Sequence, residues 1–148
     1  MMVNGLVLGG KYRLFGGESS MLTEHEIEIR VRYHETDGQG HVHHANYLNY
    51  FELGRTELLR AAGFNYEELE AQGALLVVSE FTCRYFRPSR FGDVLTLLTT
   101  TVRAKGARIE HAYELRRGDQ LLAQGQSTVA CVDGVGKVKR LPASLGGK

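Results

Sequence analysis

The sequence predicts an α+β fold in which one antiparallel sheet of five strands wraps a single long helix. Three observations carry this: a stretch of strict alternation near residue 30, one sustained helical period after it, and then only strand-like runs separated by turn residues. A chain of 148 residues suits a single domain with one sizeable core. One helix cannot cover both faces of five strands. The uncovered surface and an edge strand should therefore be buried against further copies, as a homodimer or a homotetramer.

Residues 1–20 hold five glycines and no sustained period, so they are expected to lie outside the core as an N-terminal extension. Residues 21–135 form the domain, and 136–148 a tail. From Glu26 to Tyr33, Ile27, Ile29, Val31 and Tyr33 alternate with Glu26, Glu28, Arg30 and Arg32, the pattern of a half-buried strand. Asn46 to Ala62 then takes helical spacing, with Tyr47, Phe51, Gly54, Leu58 and Ala61 on one stripe and Asn49, Glu52, Thr56 and Arg60 opposite. Such a helix is roughly 25 Å long. Gly63 follows as a fitting C′ residue. Asn65 and Glu68 suggest a variant capping box for a short second helix, Tyr66 to Ala71, closed by Gly73. Four strands are expected next: Ala74 to Phe86, Val94 to Arg103, Arg108 to Arg116 and Leu121 to Val132. Turns at Lys105-Gly106 and Gly118-Asp119 make the last three antiparallel neighbours. Asp133 to Lys148, rich in Gly and Lys with Pro142, is expected to leave the sheet and fray.

Composition narrows the function. Lys plus Arg number 18 against 17 for Asp plus Glu, so no basic field invites nucleic acid. No apolar run approaches the ~20 residues of a membrane span, and Gly5 to Leu8 is too short for a signal sequence. Cys83 and Cys131 lie in apolar strand-like runs without metal spacing or a CxxC pattern, which suits reduced thiols in the cytoplasm.

Chemistry concentrates between His34 and Arg60. Asp37 precedes the long helix by about nine residues, and Gly38 and Gly40 let the loop between them turn its N–H groups inward. The amides near His44, Ala45 and Asn46 are then the unpaired donors of a helix N-terminus, suited to an anion or a polarised carbonyl oxygen. A carboxylate beside such a site is a hydrolytic arrangement. Local composition alone favours Asp37 as a plain turn residue, bonded to its own loop.

The order of residues across this region decides between those readings. Tyr33, Glu35-Thr36-Asp37, Gly40, His44-Ala45-Asn46-Tyr47, Phe51-Glu52 and Arg55-Thr56-Glu57, followed by Tyr85-Phe86-Arg87-Pro88 and Phe91-Gly92-Asp93, resemble the hotdog-fold acyl-CoA thioesterases of the 4-hydroxybenzoyl-CoA thioesterase superfamily. The resemblance covers roughly Glu26 to Val132 and is nearest to the Tol-Pal-associated YbgC-type branch. It implies a hotdog fold, an acyl-CoA substrate, and Asp37 as the catalytic carboxylate, acting either as nucleophile through an acyl-enzyme anhydride or as base for a water. By the same resemblance the His44 backbone N–H polarises the thioester carbonyl, and Asn46 and Tyr47 open the helix and shape the acyl pocket. No cofactor is implied. Hydrolysis of acyl-acyl-carrier-protein thioesters, with acyl carrier protein as a partner, is the alternative; a non-catalytic acyl-CoA binder or adaptor is the alternative outside enzymes.

Other residues were candidates for supporting roles. His41 and His43 join His44 and Asp37 in a group that resembles a metal site, yet there is no HExxH-type spacing, so no metal is expected and a hydrogen bond to Asp37 or substrate is. Glu52 and Glu57 rival Asp37 as the carboxylate, although Glu52 shares the helix's polar stripe. Two basic groups can meet CoA phosphates at the surface: Arg87 and Arg90, with Arg84, around Pro88; and Lys105 and Arg108, with Arg103, around a hairpin tip.

Overall fold

The computed structural model describes residues 12–14 and 22–146. Its elements in chain order are β1 (Tyr12–Leu14), β2 (Leu22–Arg30), a 3₁₀ turn (Tyr33–Glu35), α1 (Asn46–Ala61), α2 (Tyr66–Ala71), β3 (Leu75–Tyr85), β4 (Val94–Lys105), β5 (Arg108–Arg117), β6 (Gln120–Val132) and a second 3₁₀ turn (Ala143–Leu145). The sheet runs β1-β2-β4-β5-β6-β3 with every neighbouring pair antiparallel. The five strands read from the sequence are all present, wrapped around α1, and the hotdog fold stands. A short sixth strand, β1, adds to the β2 edge from within the stretch expected outside the core. The remainder of that stretch lies outside the described residues.

Alternation explains which face of each strand turns inward. Ile27, Ile29 and Val31 are buried, as are Leu95 and Leu97 of β4 and Ile109, Tyr113 and Leu115 of β5. Tyr33 leaves the pattern: it is 76% exposed because the chain has by then entered the 3₁₀ turn. On α1, Tyr47, Phe51, Gly54 and Leu58 face the sheet as their spacing predicts. Tyr50, Arg55 and Glu57 are buried as well, which widens the inward face beyond the expected stripe.

Two glycines let the helix sit this close. A Cβ on Gly54 would collide with Thr99 Oγ1 and come 2.8 Å from Leu97 Cδ2, both on β4. A Cβ on Gly125 of β6 would lie 2.5 Å from Cε2 of Phe51. With that space open, the Phe51 ring stacks on Tyr113 at 4.5 Å and tilts against Phe81 at 5.6 Å.

As far as Gly146, the last described residue, the C-terminal tail does not fray. After a turn in which Asp133 N–H donates to Lys137 O, the Lys139 N–H bonds Cys131 O and the Leu141 N–H bonds Gly106 O. Leu141 and Leu145 are then buried with Leu69, Ala74, Ile109 and Cys131 in a second apolar cluster. The Gly- and Lys-rich composition hid two apolar anchors spaced to reach that cluster.

Because the Gly54 contact is with fully buried side chains on β4, Gly54→Ala should cost roughly 1–3 kcal/mol of stability through overpacking. Denaturant unfolding checks this, and an unchanged midpoint would mean the helix can lift off β4 freely.

Candidate functional site

The segment between β2 and α1 is held by its own hydrogen bonds. Thr36 bridges to Val42 and His41 to Arg90, while the Val42 N–H donates to Ser89 O at 2.8 Å. Within this miniature hairpin the Asp37 N–H donates to His41 O at 2.7 Å and the Gly40 N–H to Asp37 O at 2.9 Å. Gly40 has φ +77°, a conformation that this turn requires and that side chains disfavour.

Asp37 is a turn residue and an exposed-edge carboxylate at once. Its Oδ1 accepts the Gln39 N–H at 2.9 Å and the His41 N–H at 3.3 Å. The Gln39 amide bond, partly opposed by desolvation and helped by the His41 amide and the charges of His41 and His43, holds its pKa below the usual carboxylate value. The group is ionised at neutral pH.

Three amides at the helix start were expected to be unpaired, and the structure leaves one. The Ala45 N–H donates to His43 Nδ1 at 3.0 Å, and the Asn46 N–H to His43 O at 2.9 Å. The N–H and C=O of a planar trans peptide point in opposite directions. Anchoring the His43 carbonyl on Asn46 therefore aims the His44 N–H back out of the N-terminal end of the helix, and that N–H makes no hydrogen bond among the described residues. The His44 carbonyl is fixed too, accepting the Tyr85 hydroxyl at 2.9 Å. Burial, followed by the influence of Cys83, pushes the Tyr85 pKa up to about 12, so it stays a donor.

A cavity of about 370 Å³ joins Asp37, His41, His44, Tyr47, Tyr85 and Arg87. Of the residues singled out from the sequence, Asp37, His44, Tyr47 and Arg87 thus come together. The Tyr47 hydroxyl is committed to the fully buried Ser89 Oγ at 3.0 Å, and its ring meets Tyr85 edge to face at 4.9 Å. Asn46 is placed elsewhere: its Nδ2 donates to Glu35 O at 2.8 Å and its Oδ1 accepts from Asn49, so it ties the helix to the preceding turn. Arg90 is exposed beside the loop, with its backbone N–H on Asp93 Oδ2 at 2.9 Å. Lys105 and Arg108 close the β4–β5 hairpin at the end of those strands away from the 88–93 loop, outside this cavity.

The histidines have structural work. His43 stacks on His44 at 4.2 Å while its Nδ1 accepts the Ala45 amide, and no group of three metal-ligating side chains occurs among the described residues. Glu57 is buried against Arg60 at 2.6 Å and Glu52 is exposed; neither lines the cavity. Sequence reasoning gave no role to Glu35, Tyr85 or Ser89. Glu35 and Tyr85 at least lay in the quoted motif, whereas a single serine after Pro88 carries no pattern.

One cavity is thus lined by Asp37, an ionised carboxylate, and by His44, whose N–H makes no hydrogen bond among the described residues, the residue types that acyl transfer calls on. Comparison with known proteins agrees with that class. Residues 31–148 match the family model of the thioesterase-like superfamily. The chain is 38% identical over 112 residues to the Haemophilus influenzae acyl-CoA thioesterase YbgC, covering 75% of this chain and 82% of that one. To the Escherichia coli acyl-CoA thioester hydrolase YbgC it is 33% identical over 119 residues, covering 79% and 89%. The crystal structure of a DHNA-CoA thioesterase from Staphylococcus aureus superposes with a TM-score of 0.76 at 27% identity, covering 78% of this chain and 79% of the other. The chain belongs to the thioesterase-like superfamily.

Ser89→Ala would leave the buried Tyr47 hydroxyl without its partner and should destabilise the protein by about 1–3 kcal/mol. Adding Tyr47→Phe should recover part of that loss, because both polar groups are then gone; strictly additive unfolding free energies would refute the pairing.

Proposed function

We propose that this chain hydrolyses acyl-CoA thioesters to the free acid and CoA, with Asp37 as the catalytic carboxylate and the His44 N–H as the carbonyl-polarising donor. The carrying observation is that one cavity contains both Asp37 and His44, the latter with its amide unspent. Attack on a thioester places negative charge on the carbonyl oxygen. A fixed N–H at a helix start stabilises that charge as it develops, and one such donor is typically worth about 10² to 10³ in rate. An ionised Asp37 needs no partner base: it attacks the carbonyl carbon to form an anhydride and expel the CoA thiolate, water then opening the anhydride to release the acid and restore the carboxylate, or it takes a proton from a water that attacks the carbonyl and expels the thiolate directly.

Arg87 on the cavity lining and Arg90 beside the loop are suited to CoA phosphates. Lys105 and Arg108 close the hairpin tip far from this cavity, so within one copy they do not meet CoA bound there. A homo-oligomer is supported by β3, the outermost strand, where Val77 and Val78 are 44% and 49% exposed. Cys83 and Cys131, both free, support a cytoplasmic setting. Among the described residues no helix is long and apolar enough to cross a membrane.

Asp37→Asn should abolish nearly all turnover across short, long and aromatic acyl-CoAs while leaving CoA binding by calorimetry largely intact. Hydrolysis at close to the wild-type rate would remove Asp37 from the chemistry. The acid limb of kcat/KM offers an independent check. Because the Asp37 pKa lies below its ordinary 3.8, the ionised form persists as pH falls, and this carboxylate should introduce no inflection above that value.

A further inference from the structure

Glu35 lies two residues before Asp37, exposes little chemistry of its own, and makes more tertiary hydrogen bonds than any other residue of the loop. Its Oε1 accepts the Arg32 N–H at 2.6 Å and the Tyr50 hydroxyl at 3.1 Å. Its carbonyl oxygen accepts the His43 N–H at 2.9 Å and the Asn46 Nδ2 at 2.8 Å. One residue thus touches the strand exit, the loop just before His44, and the first turn of α1 at two points.

We propose that Glu35 and Tyr50 are a positioning pair: their side-chain hydrogen bond clamps the turn that carries Asp37 to the helix that presents the His44 N–H, and so sets the separation of the two reacting groups. This rests on the function proposed above. The Asp37 turn is stitched to residues 89–90 on one side, and Glu35 is the point at which the chain before it is fixed to α1. Tyr50 is 3% exposed and packs in the main core, so its hydroxyl is carried by a side chain that cannot drift. Its pKa is raised by burial and by the Glu35 charge, which keeps it a donor. Neither residue lines the Asp37 cavity; both line a separate cavity of about 850 Å³ beside α1, and the role assigned to them is one of geometry. Displacements of about 1 Å between reacting groups can cost on the order of 100-fold in rate.

Tyr50→Phe keeps the ring and deletes only the hydroxyl. It should lower kcat by roughly 10- to 100-fold with KM little changed. Glu35→Ala should do the same, and the double variant should be no slower than either single one. Glu35→Gln, whose amide oxygen still accepts from Arg32 and Tyr50, should recover most of the loss. Hydrogen exchange of the His43 and Asn46 amides reads the clamp without turnover: both should exchange faster in Tyr50→Phe, while amides of β5 and β6 keep their wild-type rates. Unchanged exchange at His43 and Asn46 would overturn the clamp, as would additive losses of kcat in the double variant. A wild-type protein that turns over no acyl-CoA would instead refute the proposed function, and the exchange rates would still judge the clamp.

Discussion

The seat of α1 on the sheet is the constraint from which the rest follows. Gly54 removes the one Cβ that would hold the helix off β4, and Gly125 leaves the hollow on β6 into which the Phe51 ring fits. Between these contacts lies Tyr113, stacked on Phe51 and bonded through its hydroxyl to Arg55 at 3.1 Å and Ser127 at 2.6 Å. A helix of this length behaves as a rod, so fixing its middle fixes its first turn. The first turn in turn fixes His43 and His44 through the Asn46 N–H. Close packing far from the cavity therefore governs where the amide points.

At the other end of the loop the same economy recurs. Asp37 accepts two backbone N–H groups that any turn aspartate could accept, and those bonds also stabilise its charged form. The structural and chemical readings of this residue are one arrangement seen twice. Its carboxylate is presented by a turn that is bonded to residues 89 and 90, and Arg90 and Arg117 are gathered by Asp93, the latter at 2.7 Å. A loop with little regular structure becomes a rigid platform because nearly every amide in it is spoken for.

The architecture was legible because the periodic signals are local. The limits of α2 come out at the expected residues, and α1 and β3 to β6 differ from expectation by two residues or fewer at either end. Helix and strand types depend on spacing within ten residues or so, which a sequence displays directly. The site was legible in part. Asp37 and His44 were singled out by their order in a motif and do line one cavity, whereas Asn46, assigned to the acyl pocket, holds Glu35. That choice depends on the rotamer of a side chain with partners on both sides. Lys105 and Arg108 were assigned to CoA phosphates by charge alone, and charge does not report which end of a hairpin faces the loop. Ser89 and Tyr50 were invisible for a related reason: each matters through one hydroxyl paired across more than ten residues, and no local pattern encodes such a bond. The tail was misread because Leu141 and Leu145 are isolated in a polar stretch and bury only against a cluster assembled from four other segments.

A backbone donor changes what selection and mutation can act upon. The His44 imidazole can be exchanged without deleting the N–H, and only proline at that position removes the donor outright. Control of the donor passes to the groups that orient its peptide: the Asn46 amide on the His43 carbonyl before it, and the Tyr85 hydroxyl on the His44 carbonyl after it. Those groups belong to α1 and to β3, two elements that also meet in the core, where Phe51 tilts against Phe81. β3 is an outer strand with one hydrogen-bonded neighbour, whereas α1 is locked into the core. The precision of the site is thus limited by its less constrained wall, and whatever packs along β3 bears directly on how firmly Tyr85 holds the loop.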